Sequence, residues 1–147
     1  MFILAALILT TILTLLSLID WKTQYLPDEL TLPLLWIGLL FNIFSCFTSL
    51  ENAVLGAASG YMAMYILGNG FYLCTGKIGL GQGDWKLFAA LGAWFGWQSL
   101  PEILALASLI GIIFFCVMMF LGRFKRSDPL PFGPFLSFSG WLMLWGI

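Results

Sequence analysis

The sequence predicts an all-α fold, a polytopic bundle of about six transmembrane helices. Apolar residues make up 61% of the 147 residues, and charged residues only 9%. Soluble domains carry about 25% charged residues, so six basic and seven acidic side chains are too few for a water-facing surface. Apolar runs near the length of a membrane-spanning helix also recur along the chain.

The first three predicted helices are clear apolar runs, since a span needs about 20 such residues. Residues 2–19 are uncharged and end at Asp20. They lack a basic start and a small-residue cleavage site, so we expect a retained helix and not a signal peptide. The second run covers residues 32–50. The third covers 53–73, where small residues permit close helix packing.

The last three predicted helices follow a glycine-rich break at residues 76–83. The run 87–100 is short, and it reaches spanning length only with its flanking residues. Residues 103–122 form a clean fifth run, and 130–147 a sixth with a proline-rich start. Because no repeat or flexible linker interrupts the chain, residues 1–147 are predicted to form a single membrane-embedded domain.

The basic residues predict the orientation in the membrane. In a six-span arrangement, every Lys and Arg falls in the first, third or fifth connection, while the second and fourth carry only Glu51 and Glu102. The positive-inside rule places the basic side in the cytoplasm, with both termini on the opposite side. The basic residues are Lys22, Lys77, Lys86, Arg123, Lys125 and Arg126.

Composition also excludes several kinds of chemistry. The chain has no His, which removes Ser-His-Asp and Cys-His catalysis and imidazole metal sites. The three cysteines form no CxxC pair, so we expect buried thiols, with no disulfide and no metal. The charges are too few for a nucleic-acid-binding patch. No cofactor is expected.

Two aspartates stand out because the predicted topology brings them to one membrane face. Asp20 lies at the cytoplasmic end of the first helix, and Asp84 at the cytoplasmic start of the fourth. Two carboxylates in a poorly solvated cavity cannot both ionise. One can then activate a water while the other donates a proton to a carbonyl oxygen, which is the chemistry of peptide hydrolysis.

Glycines surround the second aspartate. Gly79, Gly81 and Gly83 alternate immediately before Asp84, and glycine allows another backbone, such as a peptide substrate, to come close. The alternative is a flexible loop that ends in a helix start, where the carboxylate suits the helix dipole.

Two motifs resemble the catalytic segments of the prepilin (type IV leader) peptidase family. Residues 19–33, IDWKTQYLPDELTLP, resemble the first segment, and residues 77–87, KIGLGQGDWKL, resemble the second, which carries the GxGD signature. Both occur in order and on the same predicted membrane side. The resemblance covers about residues 15–110, and the remainder fits the six-helix catalytic half of the family.

The resemblance implies an aspartic endopeptidase in which Asp20 and Asp84 are catalytic. Gly81 and Gly83 match the glycines of GxGD. Pro27 and Asp28 match the Leu-Pro-Asp element after the first aspartate. Many full-length members carry an additional cytoplasmic domain with CxxC motifs, linked to N-methylation. Nothing here corresponds to it, so the resemblance implies a short, peptidase-only member, without support for methyltransferase activity.

The implied substrates are type IV prepilins or pseudopilins, cleaved at the cytoplasmic face of the bacterial inner membrane. Asp28 and Glu29 are predicted to attract the basic leader, or else to form a solvated loop that caps the second helix. Lys86 is predicted to tune Asp84 or contact substrate, or to be an anchor at the membrane surface.

Two other classes of function remain open at this stage. An ion- or proton-coupled transporter would also use membrane-edge aspartates, but its site belongs near the bilayer midplane, usually with repeat symmetry. Neither feature is visible in this sequence. A non-catalytic assembly factor would tolerate replacement of Asp20 or Asp84 by Asn.

Overall fold

A computed structural model describes residues 1–147 as an all-helical bundle. Six α-helices and one 3₁₀ turn, Trp97–Ser99, account for its regular structure, and the chain forms no β-strand. The helices are α1 (Phe2–Thr23), α2 (Asp28–Ile43), α3 (Leu50–Thr75), α4 (Gln82–Phe95), α5 (Leu100–Phe120) and α6 (Gly133–Met143).

Each apolar run thus overlaps an α-helix, which confirms the predicted fold class. Two segments, Phe2–Thr23 and Trp97–Phe120, are long and apolar enough to cross a membrane. The number of spans stays a prediction. With 11 residues, α6 is about 16 Å long and shorter than the predicted run 130–147. The helix begins at Gly133, with Pro134 in its first turn, where the missing N–H of proline is tolerated.

The second helix begins and ends earlier than the predicted run 32–50. It ends at Ile43 because the Asn42 side chain organises the following turn. Its Oδ1 atom accepts hydrogen bonds from the backbone N–H groups of Phe47 at 3.0 Å and Thr48 at 3.2 Å. Its Nδ2 atom donates to the carbonyls of Ala93 and Trp94. Asn42 therefore joins the end of α2 to the end of α4.

The short helix α4 forms the centre of the bundle and packs against α2, α3, α5 and α6. Glycines allow the closest approaches. A Cβ atom at Gly56 of α3 would overlap the backbone of Gly92, and a Cβ atom at Gly38 of α2 would lie 2.5 Å from Trp94. Trp94 is fully buried, and its indole N–H donates to the Leu34 carbonyl at 2.8 Å. This packing fixes α4, and with it the position of Asp84.

Candidate active site

Asp20 occupies the last turn of α1 and is buried, with 4% of its surface exposed. The helix ends just beyond it, where Gln24 adopts a left-handed conformation and its N–H donates to the Asp20 carbonyl at 2.8 Å. The carboxylate atom Oδ2 accepts a hydrogen bond from the N–H of Gly133, at the start of α6, at 2.9 Å. Two helix ends therefore set the position of this side chain.

Asp84 lies in the first turn of α4 and is also buried. The preceding Gly81 is the N-cap residue, with extended backbone angles, and its carbonyl accepts the Asp84 N–H at 3.1 Å. Gly83 lies against Leu26, and a Cβ atom at position 83 would be 2.7 Å from the Leu26 Cβ. This glycine brings the start of α4 close to the connection after α1.

Both aspartates line a single cavity of about 600 Å³. Its walls come from the end of α1 with the connection that follows it, from the last turns of α3, and from the glycine-rich segment that leads into α4. The lining residues are Asp20, Gln24, Tyr25, Leu26, Gly68, Asn69, Tyr72, Ile78, Leu80, Gly81, Gln82, Gly83, Asp84 and Trp85. The cavity is large enough for an extended stretch of a few peptide residues.

No Lys or Arg lines this cavity, so no cationic side chain offsets the two carboxylates. In such surroundings the ionised form of each aspartate disfavours that of the other. The N-terminal turns of α4 and α6 are the nearby sources of partial positive charge. Two carboxylates on one cavity without a cation favour a state in which only one of them is ionised. No three Cys, Asp or Glu side chains converge to hold a metal ion.

Asp28, Lys86 and Pro27 lie outside the cavity lining. The Lys86 Nζ atom forms an ion pair with Asp28 Oδ1 at 2.6 Å, which links the start of α4 to the start of α2. Pro27 is the N-cap residue of α2, and its carbonyl accepts the N–H groups of Leu30 and Thr31. These predicted support residues thus join the start of α2 to the start of α4, the helix that carries Asp84.

The two tryptophans that follow the aspartates have different environments. Trp85 is buried, lines the cavity and packs edge-on against Tyr61 and Tyr65. Trp21 is 45% exposed and packs against Phe114 of α5. Although each ring follows an aspartate in the sequence, only Trp85 lies on the cavity and shields it from water.

Sequence reasoning missed Asn69 and Gly133. Asn69 brings a polar amide to the cavity from α3, and its signal in the sequence was an Asn between two glycines within an apolar run. Gly133 reaches Asp20 through its backbone N–H, 113 residues away in the sequence. A backbone donor has no residue-type signal, so the sequence alone gives no indication of this contact.

The chain is similar to known proteins along nearly its whole length. The sequence profile of the type IV leader peptidase family matches residues 7–116. A prepilin leader peptidase/N-methyltransferase of Aeromonas salmonicida is 52% identical over 144 residues, which is 97% of this chain and 50% of the relative. Proteins of the same name from Pseudomonas aeruginosa and Neisseria gonorrhoeae are 49% identical over 143 residues and 48% identical over 140.

Those two matches include 97% and 95% of this chain, but only 49% and 48% of the relatives. The chain therefore spans about half the length of the curated relatives it matches. No solved structure matches it.

Proposed function

Because this chain belongs to the type IV leader peptidase family, we propose that it is an aspartic endopeptidase that removes leader peptides from type IV prepilins or pseudopilins. The observation that carries the proposal is that the buried carboxylates of Asp20 and Asp84 line one open cavity without a cationic partner. The proposal concerns cleavage of the peptide bond, because both carboxylates needed for that chemistry lie in this chain.

In the proposed mechanism the two carboxyl groups share one proton. The ionised aspartate takes a proton from a water molecule as the water oxygen attacks the carbonyl carbon of the scissile bond. The protonated aspartate donates its proton to the carbonyl oxygen, which gives a neutral tetrahedral intermediate. As the C–N bond breaks, the aspartate that took the water proton gives it to the leaving nitrogen, and the other aspartate takes a proton from a hydroxyl of the intermediate. The products are an amine and a carboxylic acid, and the pair again carries one proton.

The proposed substrate enters from the basic end of the bundle, with its leader at the cytoplasmic face of the inner membrane. Glu29 is exposed and forms no ion pair, whereas the Asp28 carboxylate is paired with Lys86. We therefore assign attraction of the basic leader mainly to Glu29. The chain termini would lie on the opposite side of the membrane.

Cleavage of a prepilin-like substrate in membranes tests the proposal. We expect the wild-type chain to shorten the substrate, and Asp20→Asn and Asp84→Asn each to abolish cleavage, because Asn keeps the shape of the side chain without its ionisable acid. Asp128→Asn is the matched control. Its carboxylate is partly exposed, accepts the Lys125 N–H at 2.8 Å and does not line the cavity.

Two outcomes would contradict the proposal. Near-normal cleavage by a folded Asp20→Asn or Asp84→Asn variant would exclude the two-aspartate mechanism. Absence of cleavage by the wild type, together with intact pilus assembly in cells that carry either Asn variant, would favour the assembly-factor alternative.

A further inference from the structure

Asp20 lies near the C-terminal end of α1, and this end of a helix disfavours a negative charge. It occupies the last turn of α1, where unpaired carbonyl groups make the helix end partially negative. Asp84, by contrast, lies in the first turn of α4, where the helix end is partially positive. The two aspartates therefore have opposite local helix environments, and Asp20 needs stabilisation from another part of the chain.

The start of α6 provides it. The N–H of Gly133 donates to Asp20 Oδ2 at 2.9 Å, and both groups are buried. The next residue, Pro134, has no N–H, and the following amides at 135 and 136 donate to the Phe132 carbonyl. Within this first turn, the Gly133 N–H is thus the donor left free to face the carboxylate.

The contact also requires a residue without a side chain. A Cβ atom at position 133 would overlap Asp20 Oδ2 and would lie 3.2 Å from a methyl group of Leu26. The backbone angle at Gly133 is not left-handed, so the reason for glycine here is space and not conformation. Only glycine lets the helix end approach the carboxylate to hydrogen-bond distance.

We propose that the first turn of α6 is a third component of the active site, in which the Gly133 N–H holds Asp20 in position. Gly133 is a positioning residue: it engages Oδ2 of Asp20 and leaves Oδ1, which has no partner in the protein, for water or substrate. This inference rests on the proposed peptidase function. It adds to the two predicted motifs a segment about 50 residues after the second one.

Loss of this hydrogen bond is expected to change the pH dependence of cleavage. The titratable groups on the cavity besides Asp20 are Asp84 of α4, Tyr25 of the connection after α1, and Tyr72 of α3, and α6 has none. A donated hydrogen bond favours the ionised carboxylate. Without it, the aspartate pair needs a higher pH to lose its first proton, so the acidic limb of the pH–activity profile moves to higher pH.

The test compares Gly133→Ala with Gly70→Ala. Gly70 lies in α3 with no atom within 4 Å of a Cβ atom, so the control makes the same change in open space. We expect Gly133→Ala to lower kcat by about tenfold to a hundredfold, the range for a hydrogen bond to a charged group. KM should change little, and the acidic limb should shift upward. Gly70→Ala should match the wild type in each respect.

A second measurement does not depend on substrate. Infrared spectroscopy of the purified chain detects the C=O stretch of protonated carboxyl groups. Near neutral pH, Gly133→Ala should increase this band, because Asp20 takes up a proton more readily. The increase should be absent when Gly133→Ala is combined with Asp20→Asn. This result separates failure of the inference from failure of the proposed peptidase function.

If Gly133→Ala does not fold, glycolate at position 133, introduced by nonsense suppression, removes the N–H without adding a Cβ atom. It should give the same kinetic and infrared changes. An unchanged pH profile and an unchanged carboxyl band in a folded Gly133→Ala or glycolate variant would overturn the proposal. So would a loss of activity that is equal at every pH, since that indicates a purely structural role.

Discussion

The three glycines nearest the aspartates serve different purposes. Gly81 leads into α4, and a Cβ atom there would be 3.8 Å from Asp84 Oδ2, an ordinary contact. Gly83 packs directly on Leu26, and Gly133 on Asp20. Of the two GxGD glycines, Gly83 therefore has less space for a side chain than Gly81. The motif alone does not distinguish the two positions.

This difference predicts opposite outcomes for two similar substitutions. Gly83→Ala places a Cβ atom 2.7 Å from the Leu26 Cβ and 3.3 Å from its carbonyl oxygen. The start of α4 must then shift, and we expect cleavage to fall by about tenfold or more, since small misplacements of catalytic groups are costly. Gly81→Ala should retain most activity, because its backbone angles suit alanine. Equal losses in a membrane cleavage assay would contradict this reading.

At the scale of helices, α4 is held at both ends by polar contacts from α2. Asn42 binds the carbonyls at its C-terminal end. Asp28 pairs with Lys86 near its N-terminal end. The apolar faces of the two helices pack between these contacts, with Trp94 filling the space above Gly38. The register of α4, and so the depth of Asp84, depends on this pair of helices.

Replacement of Asn42 should destabilise the bundle without direct damage to the site. Asn42→Leu leaves two carbonyls and two amides without their partner. We expect the free energy of unfolding to fall by about 2–4 kcal/mol, given the cost of unpaired buried polar groups. Thermal unfolding in detergent measures the change. Asn52→Leu, which loses one exposed contact to Trp97, is the control, and equal melting temperatures would contradict the prediction.

The Lys86–Asp28 pair should behave as one unit. Because both side chains are partly exposed, the pair contributes at most about 1 kcal/mol. We expect Asp28→Asn and Lys86→Met to lower cleavage by similar, modest factors, and the double variant to cost no more than either single one. Lys77→Met, at an exposed unpaired lysine, should have little effect.

The sign of the Lys86→Met effect distinguishes this structural role from direct leader binding. If Asp28 mainly attracts the basic leader, removal of Lys86 would free its charge and improve KM. Faster cleavage by Lys86→Met would therefore contradict a structural role of the ion pair. It would favour the prediction that Asp28 attracts the basic leader.

Sequence reasoning predicted the helices, because apolar runs and charged breaks reflect the cost of burying polar groups. It also selected Asp20 and Asp84, the two aspartates that line the cavity. It did not reach the central position of α4, since a 14-residue helix with flanking glycines reads as a weak span. Nor did it find Asn42 or Gly133. Their roles depend on contacts with residues 51, 52 and 113 positions away, which no local pattern encodes.

At the scale of the whole molecule, three connections meet at one end of the bundle. Gln24 Nε2 donates to the Pro129 carbonyl at 3.4 Å, which joins the first connection to the fifth. Leu26 contacts Gly83, next to the third connection. These are the three connections that carry or flank every basic residue. The basic residues, the contacts between the three connections and the cavity therefore all lie at the same end of the bundle.

Two native cysteines lie at opposite ends of α3 and can report the orientation. Cys46 precedes this helix, and the exposed Cys74 lies in its last turn. The helix has 26 residues, so its ends are about 39 Å apart. Cys116, within α5, is also exposed, so the prediction of buried thiols is wrong for two of the three cysteines. Chains that retain one cysteine each, with Ser at the other two positions, therefore separate the two membrane faces.

We expect a membrane-impermeant maleimide to label the Cys46-only chain in intact cells. It should label the Cys74-only chain only after the membrane is permeabilised. The reagent requires an accessible thiolate, so the Cys116-only chain should stay unlabelled within the apolar α5, and a chain without cysteines gives the background. The reverse pattern for Cys46 and Cys74 would place the aspartate cavity on the outer face. A leader peptide on the cytoplasmic side could not then reach it, and the proposed site of cleavage would be wrong.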